Sequence, residues 1–282
     1  MKIGHYQLEC EPGNYEGNLS KLIDGLCEAD KQQIDIISFP ESFLTGYYSK
    51  FEKAKEHSFS LNSPEIRNLL NKTSGYKAMF MVGFNELRDG KLYNTALVAE
   101  HGELKGAYSK AFPCYDYFTP GRDFPVFEKD GIKFGIVICA DGGYIEPTRI
   151  LALKGASIIF APHYNYIGKE DLINHFQKVR SDHIARAVEN NIWFVRGNNV
   201  CKGYDAGLEE DGVGYGDSYI LDPLGEIVAR SQRHVECSIS SIINTNTQFP
   251  GTKENGPNRS FKSGTELGKI LLKTIDQREK NA

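Results

Sequence analysis

Five short apolar runs set the terms of the fold. Ile34 to Phe39 (IDIISF), Ala78 to Phe84 (AMFMVGF), Phe134 to Cys139 (FGIVIC), Ser157 to Ala161 (SIIFA) and Ile192 to Arg196 (IWFVR) are each of strand length. They are near-continuous rather than alternating, the pattern of core strands covered on both faces. Between them lie segments with helical periodicity. Leu19, Leu22, Ile23, Leu26 and Cys27 recur at i, i+3, i+4, i+7 and i+8. Ser63-Pro64 places an N-cap before Pro at the first helical position. Thr148 to Lys154 reads as a helix closed by Gly155, and Leu172 to Asn190 as a long one. In the long helix Phe176, Val179, His183, Ile184, Ala187 and Val188 fall on one side. Strands alternating with helices confine the chain to a layered α/β architecture.

Other elements fit this frame. Ile3 to Leu8 and Cys237 to Ile243 read as strands. Tyr93 to Ala99 and Leu104 to Tyr108 flank a hairpin turn at His101-Gly102. Tyr219 to Leu221 and Glu226 to Ala229 bracket the turn Asp222-Pro223-Leu224-Gly225. Thr265 to Lys280 reads as a terminal helix. Both halves run strand, helix, strand, and no low-complexity linker divides them. The expectation is one domain over residues 1–282 with a C-terminal tail from about 256, its two similar sheets packed through helices.

Charge and cysteine usage exclude several functions. A net charge of -4 gives no bulk attraction to nucleic acid or an anionic membrane. No apolar run approaches the ~20 residues of a membrane helix. The first ten residues lack the basic region and apolar core of a secretory signal. The six cysteines form no CxxC and no metal-ligand spacing. A reduced, cytoplasmic protein without metal or cofactor is expected, in which one cysteine is free to be reactive.

Three stretches at probable strand ends carry the chemistry. They are Phe39-Pro40-Glu41-Ser42-Phe43-Leu44-Thr45-Gly46-Tyr47, Ala107-Tyr108-Ser109-Lys110-Ala111-Phe112-Pro113, and Phe134 to Arg149 (FGIVICADGGYIEPTR). Each residue alone has an ordinary reading: Cys139 as core filler, Glu41 as a solvated carboxylate, Lys110 as a surface lysine. Ligands in open α/β sheets sit beyond the carboxyl ends of strands, so Glu41, Lys110 and Cys139 are placed to converge.

Together the three stretches resemble the nitrilase superfamily of carbon–nitrogen hydrolases, in the order PExxxxGY, Tyr-x-Lys followed by Pro, and Ile-Cys-x-Asp. The separations of 69 and 29 residues fit. LALKGASIIFAP, RSDHIARAVENNIWFVRGNNV and GDSYILDPLGEIVA extend the likeness to about residue 245. Cys-x-Asp-Gly-x-Tyr-x-Glu-x-x-Arg is locally most similar to the aliphatic amidase and formamidase branch. The resemblance implies a four-layer α-β-β-α sandwich and hydrolysis of a non-peptide C–N bond. Cys139 would be the nucleophile, Lys110 the oxyanion and thiolate stabiliser, Glu41 the general base, and the Ala140 backbone N–H a second oxyanion donor. Tyr47, His163, Tyr164 and Asn165 would border the substrate. An amide or N-carbamoyl compound is the expected small-molecule substrate, and a homodimer or larger homo-oligomer the expected assembly. An N-carbamoyl amine or amino-acid hydrolase and a non-catalytic binding protein of this fold are the alternatives. Asp141 and Arg149 are expected to hold the nucleophile turn. Many relatives carry a second glutamate after the lysine. Here Phe112 to Gly121 contains none; Asp116 is the only carboxylate there, and Cys114 falls where the glutamate is expected.

Overall fold

The computed structural model describes residues 1–245 together with Lys269, Ile270 and Lys273. The helix expected over Thr265 to Lys280 lies outside the described residues except for those three, which are helical. The first half of the chain runs β1 (Lys2–Gln7), α1 (Tyr15–Lys31), β2 (Ile36–Ser38), α2 (Phe51–Glu56), α3 (Pro64–Thr73), β3 (Met79–Arg88), β4 (Lys91–Glu100) and β5 (Glu103–Ser109). The second runs β6 (Phe127–Lys129), β7 (Ile132–Ile136), α4 (Ile145–Leu153), β8 (Ile158–Pro162), β9 (Tyr166–Ile167), α5 (Leu172–Asn190) and β10 (Trp193–Gly197). It continues through β11 (Val200–Asp205), β12 (Glu210–Tyr215), β13 (Tyr219–Leu221), β14 (Ile227–Arg230) and β15 (Cys237–Ile242).

Local chemistry sets many of these boundaries. Ser63 accepts the Ile66 N–H and opens α3 with Pro64 in its first turn. Asn14 does the same for α1 through the Gly17 N–H. Asn191, at φ 53°, closes α5 in the left-handed conformation. Asp89-Gly90, His101-Gly102 and Asp130-Gly131 each have positive φ at both residues, which matches the twist of two-residue hairpins.

Two six-stranded sheets result, with the orders β15-β1-β2-β3-β4-β5 and β14-β13-β10-β8-β7-β6. Reversing the second order exposes a shared topology. In each sheet an antiparallel edge pair leads into two parallel pairs and then two antiparallel pairs. The sheets pack face to face, burying Ile3, Ile36, Met81, Val98, Ile136, Phe160, Val195 and Ile220 between them. Leu19, Leu22 and Leu26 of α1 and Ile66 and Leu69 of α3 cover the outer face of the first sheet. Leu151 of α4 and Ala187 of α5 cover the second. The helices therefore lie outside: the layers follow the four-layer α-β-β-α order that the resemblance implies, and not the packing of sheets through helices. A small sheet of β11, β12 and β9 completes the fold.

The face of α5 also differs from the periodicity reading. His183, Arg186, Ala187 and Asn190 are buried, while Val188 is exposed. Polar groups interrupt the apolar stripe there because α5 packs on the turn after β7 as well as on β10 of the sheet. Among the described residues no helix is long and apolar enough to cross a membrane.

Candidate active site

Four strand ends meet at one edge of the sandwich. Glu41 follows β2, Lys110 follows β5, Cys139 follows β7, and His163 to Asn165 follow β8. The loop carrying Glu41 lies directly on β3: a Cβ at Gly83 would come within 2.2 Å of the Ser42 nitrogen, so only glycine admits the approach. Ser42 adopts φ 51°, turning the chain immediately after Glu41.

Glu41 and Lys110 are each 1% exposed and form an ion pair at 2.7 Å. The carboxylate is held on every side by N–H donors. Lys110 Nζ and Asn94 Nδ2 donate to Oε1 at 2.7 and 2.6 Å, and the Tyr164 backbone N–H donates to Oε2 at 2.8 Å. Burial opposes the Lys110 charge, but Cys139 and Glu41 outweigh it and keep the ammonium well above its usual pKa. A dry pair of this kind adds little to stability, since desolvation offsets the Coulomb gain.

Cys139 leaves the strand at a sharp turn. β7 ends at Ile136, and Cys139 opens a 3-10 turn over Cys139–Gly143 with φ 49°. A non-glycine residue there carries strain of ~1–3 kcal/mol. Asp141 holds the turn: its carboxylate accepts from the Ile138 and Phe112 N–H groups at 3.0 and 2.8 Å and from the Tyr108 hydroxyl at 2.7 Å. Arg149, expected beside it, donates to the Glu189 carbonyl on α5 at 3.2 Å. Gly142 lets the turn sit on the buried His183 ring, 2.9 Å from where a Cβ would stand.

Asn165 Nδ2 donates to Cys139 Sγ at 3.4 Å. Its orientation is forced. Arg196 has only donors, and its Nη2 lies 2.7 Å from Asn165 Oδ1, so the amide N–H₂ must face the sulfur. Arg196 is itself fully buried and is held by the Gly216 and Asp217 carbonyls and the Tyr215 hydroxyl. Cys114, on the loop after Lys110, places its sulfur 3.7 Å from Lys110 Nζ and lines the same cavity as Cys139. The neighbouring Cys139 thiol, with Lys110 nearby, brings the Cys114 thiol down to about 6. The Cys114 thiol, burial and the Glu41 carboxylate push Cys139 up.

Cys114, Cys139 and Asn165 line a cavity of about 560 Å³, with the Glu41–Lys110 pair buried behind it. Tyr47, His163, Tyr164 and Ala140 reach it as well. Tyr47 lies under Lys110 Nζ, 5.9 Å from the ring centre, and stacks on Tyr164 at 5.5 Å. Burial, with Arg196 close by, keeps His163 and His183 well below the usual imidazole pKa and therefore neutral. Asp116 does not join them. Its side chain is exposed and lines an adjoining surface depression with Pro120 and Arg122, on the far side of Cys114 and Ala140. Asp116 as a second carboxylate is thus corrected: the loop turns Cys114, not Asp116, toward Lys110. The sequence reading missed Asn94 and Arg196. Nothing local marks them, because their roles depend on partners 53 and 31 residues away.

Comparison with known proteins agrees with the fold. Residues 2–245 match the carbon–nitrogen hydrolase family. A glutamine-dependent NAD(+) synthetase of Thermotoga maritima is 28% identical over 81% of this chain, which spans only 39% of that protein's length. An (R)-stereoselective amidase of a Pseudomonas species is 27% identical over 83% of this chain and 81% of its own. Among solved structures, a carbon–nitrogen hydrolase from Helicobacter pylori superposes with a TM-score of 0.74 at 22% identity, over 86% of this chain and 88% of that one.

Proposed function

We propose that this chain, which belongs to the carbon–nitrogen hydrolase family and acts on C–N bonds other than peptide bonds, hydrolyses a small-molecule amide through a thioester on Cys139. One observation carries the reading: a buried Glu41–Lys110 ion pair at 2.7 Å beside a cysteine on a strained turn, at the floor of a cavity. Glu41 takes the Cys139 proton, and the thiolate adds to the amide carbonyl. Lys110 Nζ and the Ala140 N–H stabilise the oxyanion. Glu41 returns the proton to the departing nitrogen, so ammonia or an amine leaves and the acyl group stays on sulfur. Glu41 then deprotonates a water that adds to the thioester; the carboxylic acid departs and Cys139 regains its proton.

The test is acid quench of a turnover mixture followed by peptide mapping. The acyl group is expected on the tryptic peptide Phe134 to Arg149, and Cys139→Ala is expected to release no ammonia from a panel of amides. An acyl group on another cysteine, or undiminished ammonia release by Cys139→Ala, ends the proposal.

A second reading is hydrolysis of an N-carbamoyl amino acid. Lys178 and Asp182 lie one turn apart on α5 and both reach the cavity, a spacing of opposite charges that suits a zwitterionic substrate end. Under this reading Lys178→Met raises KM for carbamoyl amino acids and leaves KM for neutral amides unchanged. Equal KM changes for both substrates would leave the simple amide reading alone.

A further inference from the structure

Cys114 is a nucleophilic group that the hydrolytic mechanism does not use. It sits four residues beyond Lys110, on the loop connecting β5 to β6. Its sulfur lies 3.7 Å from Lys110 Nζ, and Cys114 and Cys139 line the same cavity. Cys114 is exposed, whereas the fold covers Cys10 and Cys201. Two thiols on one cavity beside one buried ammonium, one of them open to solvent, make a pair suited to oxidation.

We infer that Cys114 and Cys139 form a reversible dithiol–disulfide pair, a modification site that switches the cavity off under oxidation by a hydroperoxide. The chemistry balances in two steps. A Cys114 thiolate attacks the peroxide oxygen; the O–O bond breaks, hydroxide (or alkoxide) leaves, and Cys114 becomes a sulfenic acid, oxidised by two electrons. The Cys139 sulfur then attacks the sulfenic sulfur, the S–O bond breaks, and the hydroxyl departs with the Cys139 proton as water. Closing the bond requires the sulfurs to come within ~2 Å, with the two Cα atoms no more than ~7 Å apart. Lys110 favours both steps by stabilising the attacking thiolate. A dithiol reductant returns the pair to two thiols and is itself oxidised. In the oxidised form Cys139 has no nucleophile to offer, and Cys139 is spared over-oxidation to a sulfinic acid.

The peptide map makes the proposal testable without any assay of hydrolysis, so its failure is distinct from failure of the hydrolase reading. Trypsin places Cys114 in Ala111 to Arg122 and Cys139 in Phe134 to Arg149, each the only cysteine of its peptide. The full-length protein is freed of reductant, treated with hydrogen peroxide, alkylated with iodoacetamide and digested without reduction. The two peptides are expected joined, the protein lighter by two hydrogens, and both changes undone by dithiothreitol. In Cys114→Ser the joined peptide disappears and Cys139 advances to the sulfinic acid, which dithiothreitol does not reverse. The proposal is overturned if the wild-type protein yields no joined peptide. It is equally overturned by a bridge between Cys10 and Cys201, or by equal sulfinic acid at Cys139 in wild type and Cys114→Ser.

Discussion

The two halves of the molecule share a topology, and they place chemically similar residues at equivalent points with opposite outcomes. Cys10 stands three residues after β1, and Cys139 three residues after β7, the corresponding strand of the other sheet. Cys10 is buried, accepts from Asn18 Nδ2 at 3.7 Å and gives its thiol proton to the Phe43 carbonyl at 3.3 Å. Burial pushes its pKa far up and no ammonium is bonded to it. Cys139 sits on a left-handed turn at a cavity wall beside Lys110. The second strands repeat the lesson: Glu41 lies three residues after β2 and Asn165 three after β8. One half contributes a carboxylate to the site, the other an amide that points its N–H₂ at sulfur. The repeated fold delivers side chains to the same sheet edge, and the loop around each one decides whether it is packing or chemistry.

The comparison breaks most decisively through the cysteines. Cys139→Ala should lower kcat/KM by ~10⁴-fold or more, because the covalent route is lost. Cys10→Ala should leave kcat/KM within about twofold and cost ~1–2 kcal/mol of stability through the small void it leaves. Ammonia release and urea unfolding of both variants check this. A Cys10→Ala enzyme as inactive as Cys139→Ala would erase the distinction between the halves.

Glu41→Gln comes next. It removes the base and leaves the Lys110 ammonium without its anionic partner in a dry site. Turnover should fall ~10²–10⁴-fold, and stability by ~3–5 kcal/mol, the cost of an uncompensated buried charge. Glu41→Gln combined with Lys110→Met should recover part of that stability and none of the activity. If the double variant unfolds as readily as the single one, the pair is not coupled as its 2.7 Å contact implies.

Asn165→Ala sharpens the other side of the comparison. It removes one donor to the Cys139 sulfur and takes from Arg196 Nη2 one of its two acceptors, so kcat should fall ~10–100-fold with a smaller change in KM. Restoring the carboxamide at a longer reach, with Asn165→Gln, should recover less than half of that loss if orientation by Arg196 is what matters. A pure KM effect would make Asn165 a substrate contact instead.

How far the sequence could be read follows the same division. The five apolar runs and the capped helices announced the layers because burial and capping act over a few residues. Cys139 and Glu41 were legible through the strands that precede them. Asn94, Arg196 and the buried polar face of α5 were not, because each is fixed by partners distant in sequence. The direction in which the loop after Lys110 turns was illegible for another reason. Cys114 and Asp116 are two residues apart, so either can face Lys110, and only packing around Tyr115, Tyr117 and Tyr47 decides.

That loop yields the smallest expected effect and a sharp one. Asp116→Ala should change kcat and KM by less than about twofold, since an exposed carboxylate outside the cavity is screened from Lys110 by solvent. Cys114→Ala, at the position that does face Lys110, should instead alter the pH dependence of kcat/KM. With Cys114 gone, Lys110 and Glu41 act on Cys139 alone, and the thiol loses a neighbour that pushes its pKa up. The alkaline-going rise in alkylation of Cys139 should therefore move to lower pH in Cys114→Ala and stay in place in Asp116→Ala. The reverse pattern would return the second acidic group to Asp116 and would show that the loop turns the other way in solution.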